Sequence, residues 1–333
     1  MAYQKRNATL KDIAEKTGFS INTVSRALRD MDDISEATKK KIRKASKELG
    51  HVENSIAQSL RLGYTNTIAV IIGDVSNPFF AIQMKEVETY ARRAGYNTFL
   101  INTNEDEQQE EIAIKSALNQ MVAGIIICPT QKSDKNILFL KKSGIPFVLQ
   151  GRRFSDLDTD YVVVNDELGG YLATHHLIEK HHHNILCLHG PLFISSARER
   201  LAGYERAMRE AGFPIDPALE VEVPALGEGF SEAFLSVPFD SYSGIFAFSD
   251  MVAWEAWAAL KEHGLDVPKD KALIGFDNIE SRLVLPFNMT SVSSFKGKMA
   301  MLSVDILLKR IRHDKTSSYK LVIDPAVKEG DTV

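Results

Sequence analysis

Between Ser20 and Arg29 the chain reads SINTVSRALR, and its side chains fall into two sets. Val24, Ala27 and Leu28 recur at helical spacing and predict a buried face, which leaves Ile21, Asn22, Ser25, Arg26 and Arg29 outward. These outward types suit base edges in a major groove. Arginine pairs bidentately with guanine, asparagine pairs with adenine, and an apolar side chain meets a thymine methyl. Ser20 is a good N-cap, and with Thr23 and the free N–H groups of a helix start it suits phosphate oxygens. The chemistry on offer is polyanion recognition rather than turnover.

Charge distribution favours that reading over a solvated helical hairpin. Of the 333 residues, 1–62 hold 13 Lys and Arg against 8 Asp and Glu, although the whole chain carries net charge −4. A basic head on an acidic body implies a polyanion partner for the head alone.

The elements that position those residues are legible nearby. Thr9 and Asp12 fit a capping box opening a helix whose Leu10, Ile13 and Ala14 share a face. Gly18 suits the left-handed residue that ends it. Ala14, Gly18 and Val24 together supply the close crossing, tight turn and packing of a helix-turn-helix. Ser35 begins a third helix with Ile42, Ala45 and Leu49 inward and Gly50 at its end. Its KKKIRK run adds non-specific attraction to phosphates. In HVENSIAQSLRLGYTN, Asn54 to Leu60 could form about two helical turns, marginal alone because nucleation is costly.

LKDIAEKTGFSINTVSRAL, LGHVENSIAQSL and TIAVIIGDVSNPFF together resemble the lactose-repressor (LacI/GalR) family of bacterial regulators along nearly the whole chain. The resemblance implies hinge helices of two subunits paired in the minor groove, with Leu60 as the wedge that kinks DNA and Ala57 allowing close approach. Glu53 departs from the family, which usually carries proline before Asn54. The expected DNA-contacting set is therefore Thr9, Leu10, Ser20, Ile21, Asn22, Thr23, Ser25, Arg26, Arg29, Asn54, Ala57 and Leu60.

From Thr67 short apolar runs alternate with helical stretches. TIAVIIGD, NTFLINT, GIIICPT, PFVLQG, YVVVND, NILCLHG, GIFAFSD and ALIGFDN read as strands of two parallel α/β series. Ligands bind at the carboxyl ends of such strands. Neither GxGxxG nor a P-loop follows the first strand, and no nucleophile elbow occurs, so an enzyme is not expected. By resemblance the body is periplasmic-binding-protein-like: two lobes closing on an effector, with crossings near Val162, Ser291 and Val322 and a last helix from about Phe295 to Arg312. The expected division is 1–50 head, 51–63 hinge, 64–162 with 293–321 first lobe, and 163–292 with 322–333 second lobe.

Phe79 and Phe80 start a helix and could stack on a sugar or base face; Ser249 and Asp250 end a strand. The resemblance adds Arg200 as the effector-binding arginine, Ser196 and Arg198 before it, and Asp277 as acceptor for effector hydroxyls. Cys128 and Arg152 complete the effector-binding candidates. Where relatives place an aspartate, Gly151 is followed by Arg152 and Arg153, which could favour an anionic sugar derivative.

His175, His176 and His181 to His183 lack a completing Cys or carboxylate motif, so no metal is expected, nor any cofactor. The apolar runs are too short for a membrane span, no secretory signal is visible, and the two cysteines lie in strand-like runs, so a cytosolic compartment is expected. The resemblance implies a homodimer, since family tetramers use a further leucine-heptad helix that does not follow here. The expected partners are a pseudo-palindromic double-stranded DNA operator and a sugar-like effector; a plain sugar-binding protein is the rival reading, against which the head argues.

Overall fold

The computed structural model describes residues 8–51, 64–224, 229–279 and 287–333. The chain divides into two compact units, Met1–Gly63 and Tyr64–Val333.

In the first unit, helices α1 (Leu10–Thr17), α2 (Ile21–Leu28) and α3 (Glu36–Glu48) close on a small core. Thr9 and Asp12 form the capping box of α1, and Gly18 ends it at φ +79. Ser20 and Ser35 cap α2 and α3 through the N–H groups of Thr23 and Thr38. Ile13, Val24, Ala27 and Ile42 are fully buried and meet in one cluster. The KKKIRK run departs from a wholly solvated face. Lys39 lies one turn before Ile42, so it is drawn inward, where it reaches Asp30 at 3.0 Å and Glu36 at 2.8 Å.

The second unit contains two six-stranded sheets. The first sheet is ordered β11 (Lys320–Ile323), β5 (Tyr161–Val164), β4 (Phe147–Gln150), β3 (Gly124–Ile127), β1 (Thr67–Ile72), β2 (Asn97–Asn102). The second is ordered β12 (Ala326–Lys328), β10 (Thr290–Ser293), β9 (Ala272–Asp277), β8 (Gly244–Ala247), β6 (Ile185–His189), β7 (Glu220–Glu222). All pairings are parallel except β10 with β12. Helices α4 (Pro78–Arg93) and α11 (Lys296–Ile311) contribute to the apolar cluster on one face of the first sheet. Helices α5 (Glu107–Asn119) and α6 (Lys135–Ser143) cover the other. Helices α7 (Asp166–Glu179), α8 (Ser195–Glu210), α9 (Phe230–Leu235) and α10 (Asp250–Glu262) belong to the second lobe.

All eight apolar runs are strands. Strands β7, β11 and β12 are not among them, because edges do not require a continuous apolar run. Interior β10 is not among them because it buries Thr290 and Ser291, whose hydroxyls are hydrogen-bonded to Gly330, Asn278 and Asp250. The three passages between sheets fall at residue 165, at 294–295 and at 324–325. Boundaries expected at 162, 292 and 321 would cut β5, β10 and β11. Pairing of β5 with β11 through Val164 and Ile323 carries both strands further than expected.

One helix crossing sets the geometry of the second lobe. A Cβ on Gly203 of α8 would lie 2.1 Å from the Glu167 carbonyl oxygen of α7, and one on Gly170 would lie 2.0 Å from that of Arg200. Only glycine permits this approach, and it places Arg200 against Asp166 at the start of α7.

Candidate functional sites

On α2 the expected outward residues are accessible to differing degrees. Ile21 is 50% exposed, Asn22 and Arg29 are exposed, and Ser25 and Arg26 are half-buried. The Ser20 hydroxyl accepts the Thr23 N–H at 3.1 Å and pairs with the Thr23 hydroxyl at 2.8 Å, ordering both at the helix start. The Thr9 hydroxyl is engaged in its cap, donating to Asp12 at 2.8 Å, and Leu10 packs on the head core. Arg26 Nη2 meets Asp33 Oδ2 at 2.6 Å, and Arg29 Nε donates to the Ser25 carbonyl at 3.1 Å. Asn54, Ala57 and Leu60 lie outside the described residues.

In the body, loops at the carboxyl ends of the two sheets meet. After β3, Gln131 accepts the Ser195 N–H at 2.9 Å and donates to the Arg153 carbonyl at 2.7 Å. After β4, the Arg153 N–H donates to the Ser195 hydroxyl at 3.3 Å, and its guanidinium reaches Glu199 at 3.1 Å. Three residues that sequence reasoning missed, Gln131, Ser195 and Glu199, therefore join the lobes through Arg153 and one another. Their pairing depends on which loops follow which strands, so only the RR and SSARER contexts hint at it.

Arg200, 7% exposed, organises the second lobe's side of that meeting. Its Nε donates to Asp166 Oδ1 at 2.8 Å, its Nη1 donates to the Phe248 carbonyl, and Nη2 lies 3.5 Å from Asp277 Oδ1. The guanidinium stacks 3.5 Å over the Phe276 ring. Burial pushes the Asp166 carboxyl up to about 7 against the opposing pull of Arg200. Burial also raises Asp277, whose Oδ1 is buried without a hydrogen bond among the described residues. Asp277 holds φ +99, a strained position for a residue with a Cβ. Its carbonyl is gripped by the Ser294 hydroxyl and by Lys296 Nζ. A buried carboxylate oxygen that faces a fixed arginine at 3.5 Å yet completes no hydrogen bond among the described residues has room to accept from an incoming hydroxyl. Asp166 is a further residue the sequence reading missed, its signal being an acid two residues after the strand YVVV.

Most of the other candidates are buried or already engaged. Phe80 is 4% exposed and packs in the main core, edge-on to Phe79 at 5.2 Å, so only half-buried Phe79 remains available. Cys128 is buried, its thiol pushed up to about 12 by burial. Arg152 is engaged elsewhere, pairing both ends of its fork with Glu105 at 2.7 and 2.8 Å and donating to the Pro129 carbonyl. Ser249 caps α10 through the Val252 N–H. Asp250 is fully buried and both its oxygens accept, from Ser291 at 2.6 Å and Ile279 at 2.7 Å. Burial and neighbouring Asp277 raise Asp250 to about 8. At the start of α8, Ser196 is half-buried, and exposed Arg198 donates to the Leu192 carbonyl at 3.3 Å.

Residues 9–54 match the bacterial regulatory proteins of the lacI family, and residues 65–328 match periplasmic binding proteins and the sugar-binding domain of that family. The chain belongs to the LacI family. It is 32% identical to the ribose operon repressor of Escherichia coli strain K12, over 97% of this chain and 98% of that one. It is also 32% identical to the transcriptional repressor PurR of Aliivibrio salmonicida, over 92% of each. The structure of the lac repressor dimer bound to operator and the anti-inducer ONPF aligns over 98% of this chain and 99% of that one, with TM-score 0.86 and 23% identity, a likeness of fold.

This LacI-family chain is thus a DNA-binding transcriptional repressor, from a family of regulators rather than enzymes. Among its described residues no helix is long and apolar enough to cross a membrane, and no cluster of His, Cys, Asp or Glu could hold a metal ion.

Proposed function

We propose that the protein is a cytoplasmic, effector-responsive repressor that binds a pseudo-palindromic operator as a homodimer and takes an uncharged, polyhydroxylated effector between its two lobes. On the DNA side, α2 enters the major groove with Asn22 and Arg26 at base edges and Ser20 and Thr23 near phosphates. Asn54, Ala57 and Leu60 act in the minor groove by the hinge pairing inferred from their sequence.

The buried Oδ1 of Asp277, which faces Arg200 at 3.5 Å but completes no hydrogen bond among the described residues, carries the effector reading. An acceptor raised by burial and facing Arg200 suits a sugar hydroxyl, with Ser196 and Phe79 as further contacts. The arginines nearby argue for a neutral ligand. Arg152 pairs with Glu105, Arg153 with Glu199, and Arg200 with Asp166 and Asp277. An anionic effector of the kind Gly151–Arg152–Arg153 first suggested would have to displace one of these carboxylates.

A thermal-shift panel of neutral monosaccharides, sugar phosphates and nucleobases tests this, since a ligand at one hundred times its Kd stabilises by about 2.7 kcal/mol. Neutral sugars should raise the midpoint and, added to an operator titration, change its affinity. A response confined to phosphates or bases rejects the neutral, polyhydroxylated effector.

A further inference from the structure

Among the contacts of the head, the ion pair between Arg26 and Asp33 joins the recognition helix to the turn before α3. We infer that Asp33 is a positioning residue for DNA reading: it buttresses Arg26 so that the guanidinium meets a base edge already aimed. The inference rests on the reading that Arg26 contacts a base.

The turn holding Asp33 is pinned on both sides. Asp30, at φ +61, ends α2 and is gripped by Lys39 at 3.0 Å and Arg43 at 2.6 Å. The Met31 N–H donates to the Arg26 carbonyl at 3.1 Å, and the Ile34 N–H to the Met31 carbonyl at 3.2 Å. Ile34 packs on the head core. Asp33 therefore sits on backbone whose position is set before DNA arrives.

The guanidinium chemistry fits a buttress. Arg26 Nε is covered by protein and makes no hydrogen bond among the described residues, so the two Nη groups are the ones left to face a base. Each Nη carries two hydrogens. Nη2 can keep one on Asp33 and present the other beside Nη1, a pair that matches guanine O6 and N7. A half-exposed pair adds little to stability, so its effect lies in orientation. The carboxylate also lowers the positive charge near phosphates, trading general attraction for a fixed reader.

The test selects binding sites from a randomised DNA library with the full chain, its Arg26→Ala variant and its Asp33→Asn and Asp33→Glu variants. Arg26→Ala identifies the base pair it reads as the position whose preference collapses. Asp33→Asn should lower the preference at that same position by roughly two- to tenfold, the effect of having to immobilise one long side chain on binding. It should bind random DNA at least as tightly as wild type, which also shows that the head remains folded. Asp33→Glu, which keeps the charge, should retain most of the preference. Unchanged or sharper preference in Asp33→Asn overturns the buttress while leaving Arg26 as a reader. If Arg26→Ala flattens no position, the base contact itself fails and the buttress with it.

Discussion

Replacing Arg200 with alanine tests whether this side chain holds the second lobe's cleft wall together. The change removes the bond to Asp166, the bond to the Phe248 carbonyl, the charge facing Asp277 and the stacking on Phe276. Breaking a buried ion pair from one side costs about 3–5 kcal/mol, and an unpaired buried carbonyl about 1–3. Protonation limits the first figure, because Asp166 already stands at about 7 and each further pKa unit is worth about 1.4 kcal/mol. The expected loss is about 3–5 kcal/mol at pH 8, a large share of a typical 5–15. Without Arg200 the folded pKa of Asp166 rises further above its unfolded value, so the variant loses stability as pH climbs toward it. Wild type declines in the same way until pH passes its own value of about 7, so the deficit should shrink by about 1.4 kcal/mol between pH 8 and pH 5. Urea unfolding at fixed protein concentration reads this through Trp254 and Trp257, the protein's two tryptophans, both on α10 of the second lobe. A deficit under about 1 kcal/mol at pH 8, or one larger at pH 5 than at pH 8, refutes the argument. Alanine at 200 should thus unsettle the fold as well as the effector site, contrary to what its role as a ligand contact alone would imply.

Asp277→Asn is the cleaner probe of effector binding: it keeps the backbone conformation but removes the carboxylate acceptor. Thermal shift by the effector should vanish, along with a coupling to operator affinity of typically 1–3 kcal/mol, while the urea midpoint stays near wild type. Asp250, raised to about 8 when folded, favours the native state most at pH below its unfolded value near 3.8, and that contribution fades as pH rises toward 8. Asp250→Asn should flatten this decline in a series of urea melts from pH 4 to 8; an unchanged slope would show that the group titrates normally. Gly203→Ala drives a methyl into the Glu167 carbonyl at 2.1 Å, and should cost roughly 3 kcal/mol or more while weakening effector binding. A melt within about 1 kcal/mol of wild type would mean that α7 and α8 separate easily.

Local chemistry was enough to reveal the head and the strand series. Capping at Thr9, Ser20 and Ser35, the left-handed turn at Gly18 and the buried stripe of Val24 and Ala27 depend on residues within a few positions of one another. The apolar strand runs were equally plain, because burial on both faces of a parallel sheet demands them. Arg200 and Asp277 were found through motif context, and their proximity at 3.5 Å is what the fold added. Charge pairing was not legible, since it joins residues distant in sequence. Arg152 looked available for a ligand until the fold set Glu105 against it, 47 positions away. Asp250 looked like a cleft acid until β10 brought Ser291 to its carboxylate. Lys39 sat in a basic run, yet its helical phase with Ile42 turned it inward onto Asp30. Sequence alone determined the three head helices and the eight apolar strands, because periodicity and capping are short-range. Tertiary structure decided which charges remain for a ligand, because ion pairing depends on which loops the two sheets bring together.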